Sequence, residues 1–172
     1  MFTAEIADNK VIVREPEAIK ELHETVWYGK PVNGKLELEL IEACLLCERA
    51  KIEIMIKGRK LEFKDFYHLC CKIDPRFVPR YAVYHDLRER GLPVRIGFKG
   101  CDFRVYERGA KPAAAPAVKW IVFVASEDYV CALRQLGKAM RLAENIRAMA
   151  LWAVVDNDLD CTYYILKRLV EL

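Results

Sequence analysis

The order of hydrophobic patterns in this chain predicts an α/β fold of α+β character, and three observations carry that expectation. Short apolar–polar alternations of period two recur in both halves of the chain. Between them lie stretches of about ten or more residues whose apolar positions repeat every three to four, as an amphipathic helix requires. The second half then runs helix, three strands, helix, two strands, which builds a mixed sheet flanked by helices. At 172 residues the chain suits one compact domain or two small ones.

Residues 2–6 and 10–14 alternate around Asp8-Asn9, a hairpin signal. Helical patterns are expected at about 16–25, 37–49 and 64–73, with a strand at about 52–57. The stretch KIDPRFVPR (72–80) carries two prolines and marks a boundary, giving a small N-terminal α/β domain over 1–74 and a C-terminal domain over 75–172. The second domain opens with a helix at about 79–90 closed by Gly91, in the position after a helix where a left-handed backbone is favoured. Strands are expected at about 93–98 and 102–107, hinged at Gly100, and at about 118–125. Ser126 is expected to cap a helix over 127–143, with Glu127 and Asp128 in its first turn. Strands at about 147–155 and 161–169 close the chain, and no internal repeat is present.

Composition sets the bounds on function. Hydrophobic residues make up 53% and charged residues 31%, so the chain folds and is not a disordered tail. The 28 basic residues are nearly balanced by 25 acidic ones, and the mild +3 charge permits a nucleic-acid partner without arguing for one. No apolar run approaches the roughly 20 residues needed to cross a bilayer, and no signal-peptide pattern opens the sequence. The expectation is a cytoplasmic protein with no membrane partner.

Seven cysteines (Cys44, Cys47, Cys70, Cys71, Cys101, Cys131 and Cys161) are many for this length. A zinc site needs a second spaced pair, and the adjacent Cys70 and Cys71 suit a tetrahedron poorly. Cys44 lies three residues from both Ile41 and Cys47 on one apolar helix face, as a small core residue would. Core thiols and disulfides both remain open at this point, because connectivity is not legible in spacing. No metal and no cofactor is expected.

Two long segments carry a resemblance. RYAVYHDLRERGLPVRIGFKGCDFRVYERGAKP and NIRAMALWAVVDNDLDCTYYILKRL resemble, in register, the C-terminal domain of archaeal tRNA-splicing endonucleases. LIEACLLCERAKIEI and FYHLCCKIDPRF fit the family's small N-terminal domain more loosely. The resemblance implies a nuclease-like C-terminal domain, a role in excising introns from precursor tRNA, and assembly into a four-unit complex.

It also implies a chemistry that this chain lacks. Catalytic units of the family are described as cleaving RNA without a metal through a tyrosine, a histidine and a lysine. Internal phosphoester transfer needs a base for the ribose 2′-OH, an acid for the leaving 5′-oxygen and a cation for the charged transition state. The tyrosine, at the end of the Asp-Phe-x-Val-Tyr strand, matches Tyr106. The histidine position falls on Pro116 or Ala117, and the lysine position on Ala148, between Arg147 and Met149. His23, His68 and His85 all lie outside that loop. Lys111 and Lys119 flank it, but an ordinary lysine titrates near about 10.4 and is a poor base. Arg147 could hold a phosphate yet cannot shuttle protons. The expectation is a subunit inactive alone, retained for assembly with a catalytic homologous subunit as a heterodimer and then a heterotetramer.

Two segments are candidates for that assembly. DNDLDC (156–161) gathers Asp156, Asp158 and Asp160, charges that repel and stabilise nothing locally if the loop is read by itself. A solvated turn is the plain reading. Calcium is disfavoured, since Lys167 stands at the twelfth position and no glycine at the sixth. In homologues an acidic loop here enters a basic pocket on a neighbouring unit. The final strand places Tyr163, Tyr164, Ile165 and Leu166 at an edge that is either covered within its own sheet or paired with another chain, and the resemblance favours pairing. Arg95, Lys99, Arg104 and Arg108 are candidate RNA contacts, with a solvated, self-paired face as the alternative. An independent nuclease with a rebuilt active site has a foothold only in Glu62-Phe63-Lys64, a Glu-x-Lys at an expected helix start.

Overall fold

The computed structural model describes residues 1–169; the last three residues of the expected C-terminal domain lie outside them. The fold is mixed α/β, with two compact units: residues 1–78 with 111–113, and residues 79–110 with 114–172. Each unit is built on its own mixed sheet.

In the first unit, β1 (Phe2–Ala7) and β2 (Lys10–Val13) form the expected hairpin, with Asp8 at φ 50 in its turn. The expected helix at 16–25 is one α-helical turn, α1 (Pro16–Ala18), that widens into a π-helical stretch over Ile19–Glu24. Two short strands that the sequence reading passed over follow, β3 (Lys30–Val32) and β4 (Lys35–Glu39). The helix expected over 37–49 therefore begins later, as α2 (Leu40–Glu48). Leu36 and Leu38 alternate inward on β4, and the pattern changes to a helical period only beyond Glu39. Glu42 makes the change of direction possible: its buried carboxylate accepts the Glu39 N–H at 3.0 Å and the Gly29 N–H at 3.1 Å. Strands β5 (Ile52–Ile56) and β6 (Arg59–Leu61) and helix α3 (Phe63–Ile73) complete the unit. The strand order is β3-β4-β2-β1-β5-β6, parallel only at β1–β5.

Helix α4 (Phe77–Glu89) begins in the last residues of the first unit. Asp74 starts it, its carboxylate accepting the Arg76 N–H at 2.8 Å, and Pro79 stands in the first turn, where no intrahelical N–H is required. Gly91, at φ +74, ends it as expected. Strands β7 (Val94–Ile96), β8 (Phe103–Val105) and β9 (Trp120–Ser126) are antiparallel neighbours. Ser126 does not cap a helix. It is the last residue of β9, in register with Val155, so its backbone is committed to the ladder. Helix α5 starts at Leu133 and runs to Asn145, with the Gln135 side chain accepting the Ala132 N–H. Strand β10 (Met149–Val155) then pairs parallel to β9, and β11 (Cys161–Leu166) returns antiparallel to β10, three residues shorter than expected. The order is β11-β10-β9-β8-β7.

The helices α4 and α5 cover opposite faces of this sheet. Phe103 and Val122 are in register on one face, where Tyr84 of α4 meets the Phe103 ring at 5.6 Å. Ile121, next along β9, points to the other face and clusters with Ala150 of β10 and Ala143 of α5.

All seven cysteines are thiols; none is bridged to another, and Cys44 and Cys70 lie in the core. Reductant should leave the melting temperature unchanged, and titration of the unfolded, unreduced chain should count seven thiols. A count of five would require a bridge, worth about 2–4 kcal/mol. Two glycines give a sharper test of the second unit. A Cβ on Gly97 would stand 2.2 Å from the Cys101 carbonyl oxygen, whereas one on Gly137 of α5 meets nothing within 4 Å. Gly97→Ala should destabilise by about 3 kcal/mol or more, and Gly137→Ala should stabilise by up to about 1 kcal/mol. Thermal melts would read these as opposite shifts, at about 2–4 °C per kcal/mol for a chain of this size.

Candidate functional site

Three strands meet where the chemistry was sought. Val105, Trp120 and Met149 are in register across β8, β9 and β10. One step further, the same register places Tyr106, Lys119 and Ala148 side by side, with the Lys119 N–H on the Val105 carbonyl at 2.9 Å and the Met149 N–H on the Lys119 carbonyl at 2.9 Å. The fold thus brings the tyrosine and lysine positions together at one end of the sheet, with Pro116 and Ala117 just before β9.

Each member of this row has a distinct environment. Tyr106 is only 5% exposed and behaves as a core aromatic, its backbone N–H held by the Pro93 carbonyl at 3.0 Å. Lys119, the cation in the row, is ion-paired with Glu107 and lies 4.3 Å over the Trp120 ring. Ala148 packs with Val118, Leu142 and Leu166 against the Ile121–Ala143–Ala150 cluster. It also lines a groove of about 260 Å³ bounded by Met140, Met149 and Leu166, with Glu144 and Arg168 3.9 Å apart at its rim. Pro116 is half-buried and Ala117 exposed. The histidines lie elsewhere. His23 binds the Tyr28 and Gly29 carbonyls at 3.0 Å, His68 is on α3, and His85 is half-buried on α4 beside Tyr81. Glu62 and Lys64 sit at the start of α3, and among the described residues no three His, Cys, Asp or Glu are grouped to hold a metal ion.

The other end of the sheet carries the acidic loop, and one expectation is corrected there. Asp156 does stabilise the loop locally: its Oδ1 accepts the N–H groups of Asp158 and Asp160, both at 2.9 Å. Asp158 and Asp160 are exposed, with Leu159 between them at φ 67. The loop leans on the β9–α5 connection, where Glu127 accepts the Asn157 N–H at 3.3 Å and donates its own N–H to Val155.

On β11 the four expected interface residues divide. Tyr164 and Ile165 are 55% and 50% exposed. Leu166 is half-buried against the α5 cluster, and Tyr163 is turned onto α4, its hydroxyl donating to Asp86 at 2.6 Å. Among the described residues β11 pairs with β10 alone and forms the edge of the sheet. The basic candidates also divide. Arg104 donates to the Ile96 carbonyl and Arg108 to the Arg90 carbonyl, while Lys99 is exposed. Arg95 and Arg104 stand directly opposite one another across β7 and β8.

Sequence reasoning missed the Glu107–Lys119 pair, which no spacing announces because the partners lie 12 positions apart in sequence. It also missed the work of the Asp-Leu-Arg-x-Arg segment. Asp86 and Arg90 form an i, i+4 ion pair at 2.8 Å, a spacing legible in principle. Arg88 reaches the Tyr84 hydroxyl and the Val94 carbonyl.

Comparison with known proteins identifies the family. The family profile "tRNA intron endonuclease, catalytic C-terminal domain" matches residues 77–163, and "tRNA intron endonuclease, N-terminal domain" matches 2–67. A tRNA-splicing endonuclease of Methanococcoides burtonii is 42% identical over 165 residues, 96% of this chain but 46% of the relative. The chain thus spans about half the length of that protein, and 45% of a Methanosarcina barkeri relative. One from Thermococcus onnurineus is 36% identical over 160 residues, covering 92% of this chain and 91% of the relative. With both domain profiles in chain order and a full-length relative well above 30% identity, the chain belongs to the tRNA intron endonuclease family.

Proposed function

We propose that this chain is a non-catalytic, structural subunit of a cytoplasmic tRNA-splicing endonuclease. It assembles with a catalytic homologous subunit, and the complex excises introns from precursor tRNA. The observation that carries the reading is the end of the sheet at Tyr106: a buried tyrosine at the family's tyrosine position, an apolar methyl at Ala148 where the lysine would stand, no histidine at 116 or 117, and the neighbouring Lys119 already paired with Glu107. Assembly is supported by the opposite end and the edge. Asp158 and Asp160 project from a turn that Asp156 holds rigid, and Tyr164 and Ile165 are exposed beside an edge backbone. A pair of homologous units joined through such edges has an approximate twofold axis and closes into a heterotetramer when acidic loops dock on the neighbouring pair. The facing Arg95 and Arg104 are favoured as an RNA contact, because their register sets two guanidinium groups side by side on one face of the sheet, as a phosphate backbone would require.

Purified alone, the chain should not cut precursor tRNA with or without magnesium. Combined with the homologous chain of the same genome that carries the missing histidine and lysine, it should support cleavage. Tyr106→Phe in this chain should then change the rate less than about threefold, and a hundredfold loss would make Tyr106 chemical. Cutting by the isolated chain, free of contaminating nuclease, would overturn the structural role.

Asp158→Ala with Asp160→Ala should leave heterodimers in place of tetramers by light scattering, with cleavage sharply reduced. Truncating docked charges costs about 2–5 kcal/mol, whereas in a solvated turn the same changes are neutral or slightly stabilising. Intact tetramers with full activity would return the loop to an ordinary turn.

A further inference from the structure

The outermost strand of the C-terminal sheet is held from two sides. Along its backbone β11 bonds to β10. From its face, Tyr163 reaches α4, where Asp86 accepts the phenol at 2.6 Å and Arg90 at 2.8 Å through Nε and 3.3 Å through a terminal nitrogen. The Arg90 guanidinium also lies 5.5 Å from the centre of the Tyr163 ring. Burial and the Asp86 carboxylate hold the phenol protonated far above its ordinary range, so the hydroxyl stays a donor. Burial, with Asp86 nearby, pushes the Cys161 thiol at the start of the strand up to about 11.

The geometry of these groups is more exacting than stability requires. Apolar side chains at the three positions would hold a strand against a helix as firmly, since ion pairs gain little over well-packed hydrophobic contacts. They would also tolerate sliding. A short charge-assisted hydrogen bond does not, and a slip of one residue would turn Tyr163 to the opposite face and break it. An edge strand that must accept another backbone has to be extended and in register beforehand, or its ordering is charged against binding.

We propose that the Asp86–Arg90–Tyr163 clamp is a positioning device for subunit pairing, which locks β11 in the register that its free backbone edge presents to the matching edge of a homologous subunit. The inference rests on the pairing of subunits through β11 proposed above. Asp86, Arg90 and Tyr163 are positioning residues: they act on the interface through the strand, while Tyr164 and Ile165 meet the partner.

The test uses the full chain with Tyr163→Phe, which removes one oxygen and keeps the ring. Amide hydrogen exchange of residues 161–166 in the isolated chain should quicken about tenfold or more, as loss of a hydrogen bond to a charged acceptor implies, with β8 and β9 unchanged. The dissociation constant for the homologous catalytic chain of the same genome, read by sedimentation, should rise about tenfold. Asp86→Asn, which keeps an acceptor for the phenol but discards the charge that holds Arg90, should fall between. Unchanged exchange in Tyr163→Phe would overturn the clamp, and a loosened strand with an unchanged dissociation constant would overturn its role in pairing. If the wild-type chain gains no exchange protection at 161–166 on mixing, pairing through β11 fails and the proposal fails with it. The isolated-chain measurement would still show whether the clamp holds the strand.

Discussion

The parallel pairing of β9 with β10 is the constraint on which the rest of the second unit depends. Seven consecutive residue pairs, from Trp120–Met149 to Ser126–Val155, make both strands start at one end of the sheet and finish at the other. A parallel pair needs a crossover, and α5 supplies it, covering the face that holds Ile121 and Ala150. The consequence is a separation of the two ends of the sheet. Tyr106, Lys119 and Ala148 gather where the strands begin, and the 156–160 loop and the β9–α5 connection gather where they end, about 20 Å away by strand rise. Residues at one end can therefore lose their chemistry while the other end keeps its turn, its charge and its edge. A degenerate subunit is an outcome this topology permits.

The residues that make the chain recognisable are mostly those that hold this sheet together. Asp102, which opens Asp-Phe-x-Val-Tyr, accepts the Val124 N–H at 2.8 Å just where β8 has yet to begin and pairs with Arg80 at 3.2 Å. Arg88 is buried, with its guanidinium on a backbone carbonyl and over the Tyr84 ring at 5.5 Å. Asp86 joins α4 to the edge strand. None of these contacts involves the row at Tyr106. A long ordered match to the family is therefore evidence about scaffold first, and activity has to be read separately from Tyr106, the 116–117 loop and Ala148.

The fold class and the order of the second-unit elements were legible because strands and helices there bury one face each, so period two and period 3.6 stand out. β3 and β4 were not: Lys30-Pro31-Val32 has no alternation to detect, and the leucines of β4 run straight into the apolar α2. The start of α5 was misplaced because Ser126-Glu127-Asp128 has the chemistry of a helix cap, yet Ser126 and Glu127 are taken by backbone bonds to β10. Local propensity lost to a long-range ladder, as it commonly does at strand ends. At the candidate site, the resemblance suggested which positions to compare, and their surroundings were not legible. Nothing in the spacing announces that Tyr106 is buried, that Glu107 holds Lys119, or that Asp156 spends its carboxylate on its own turn.

Those surroundings bear directly on the non-catalytic role proposed above. A lysine at position 148 would leave the packing against Val118, Leu142 and Leu166 and extend along the groove that Ala148 lines with Glu144. There it would meet a carboxylate already shared with Arg168, which would pair with it before any phosphate did. An imidazole at 116 or 117 would stand on the segment leading into β9, two or three residues before Lys119, whose ammonium is paired with Glu107. On the proposed non-catalytic role, the apolar packing around Ala148 and the ion pair at Lys119 hold this end of the sheet by two separate interactions.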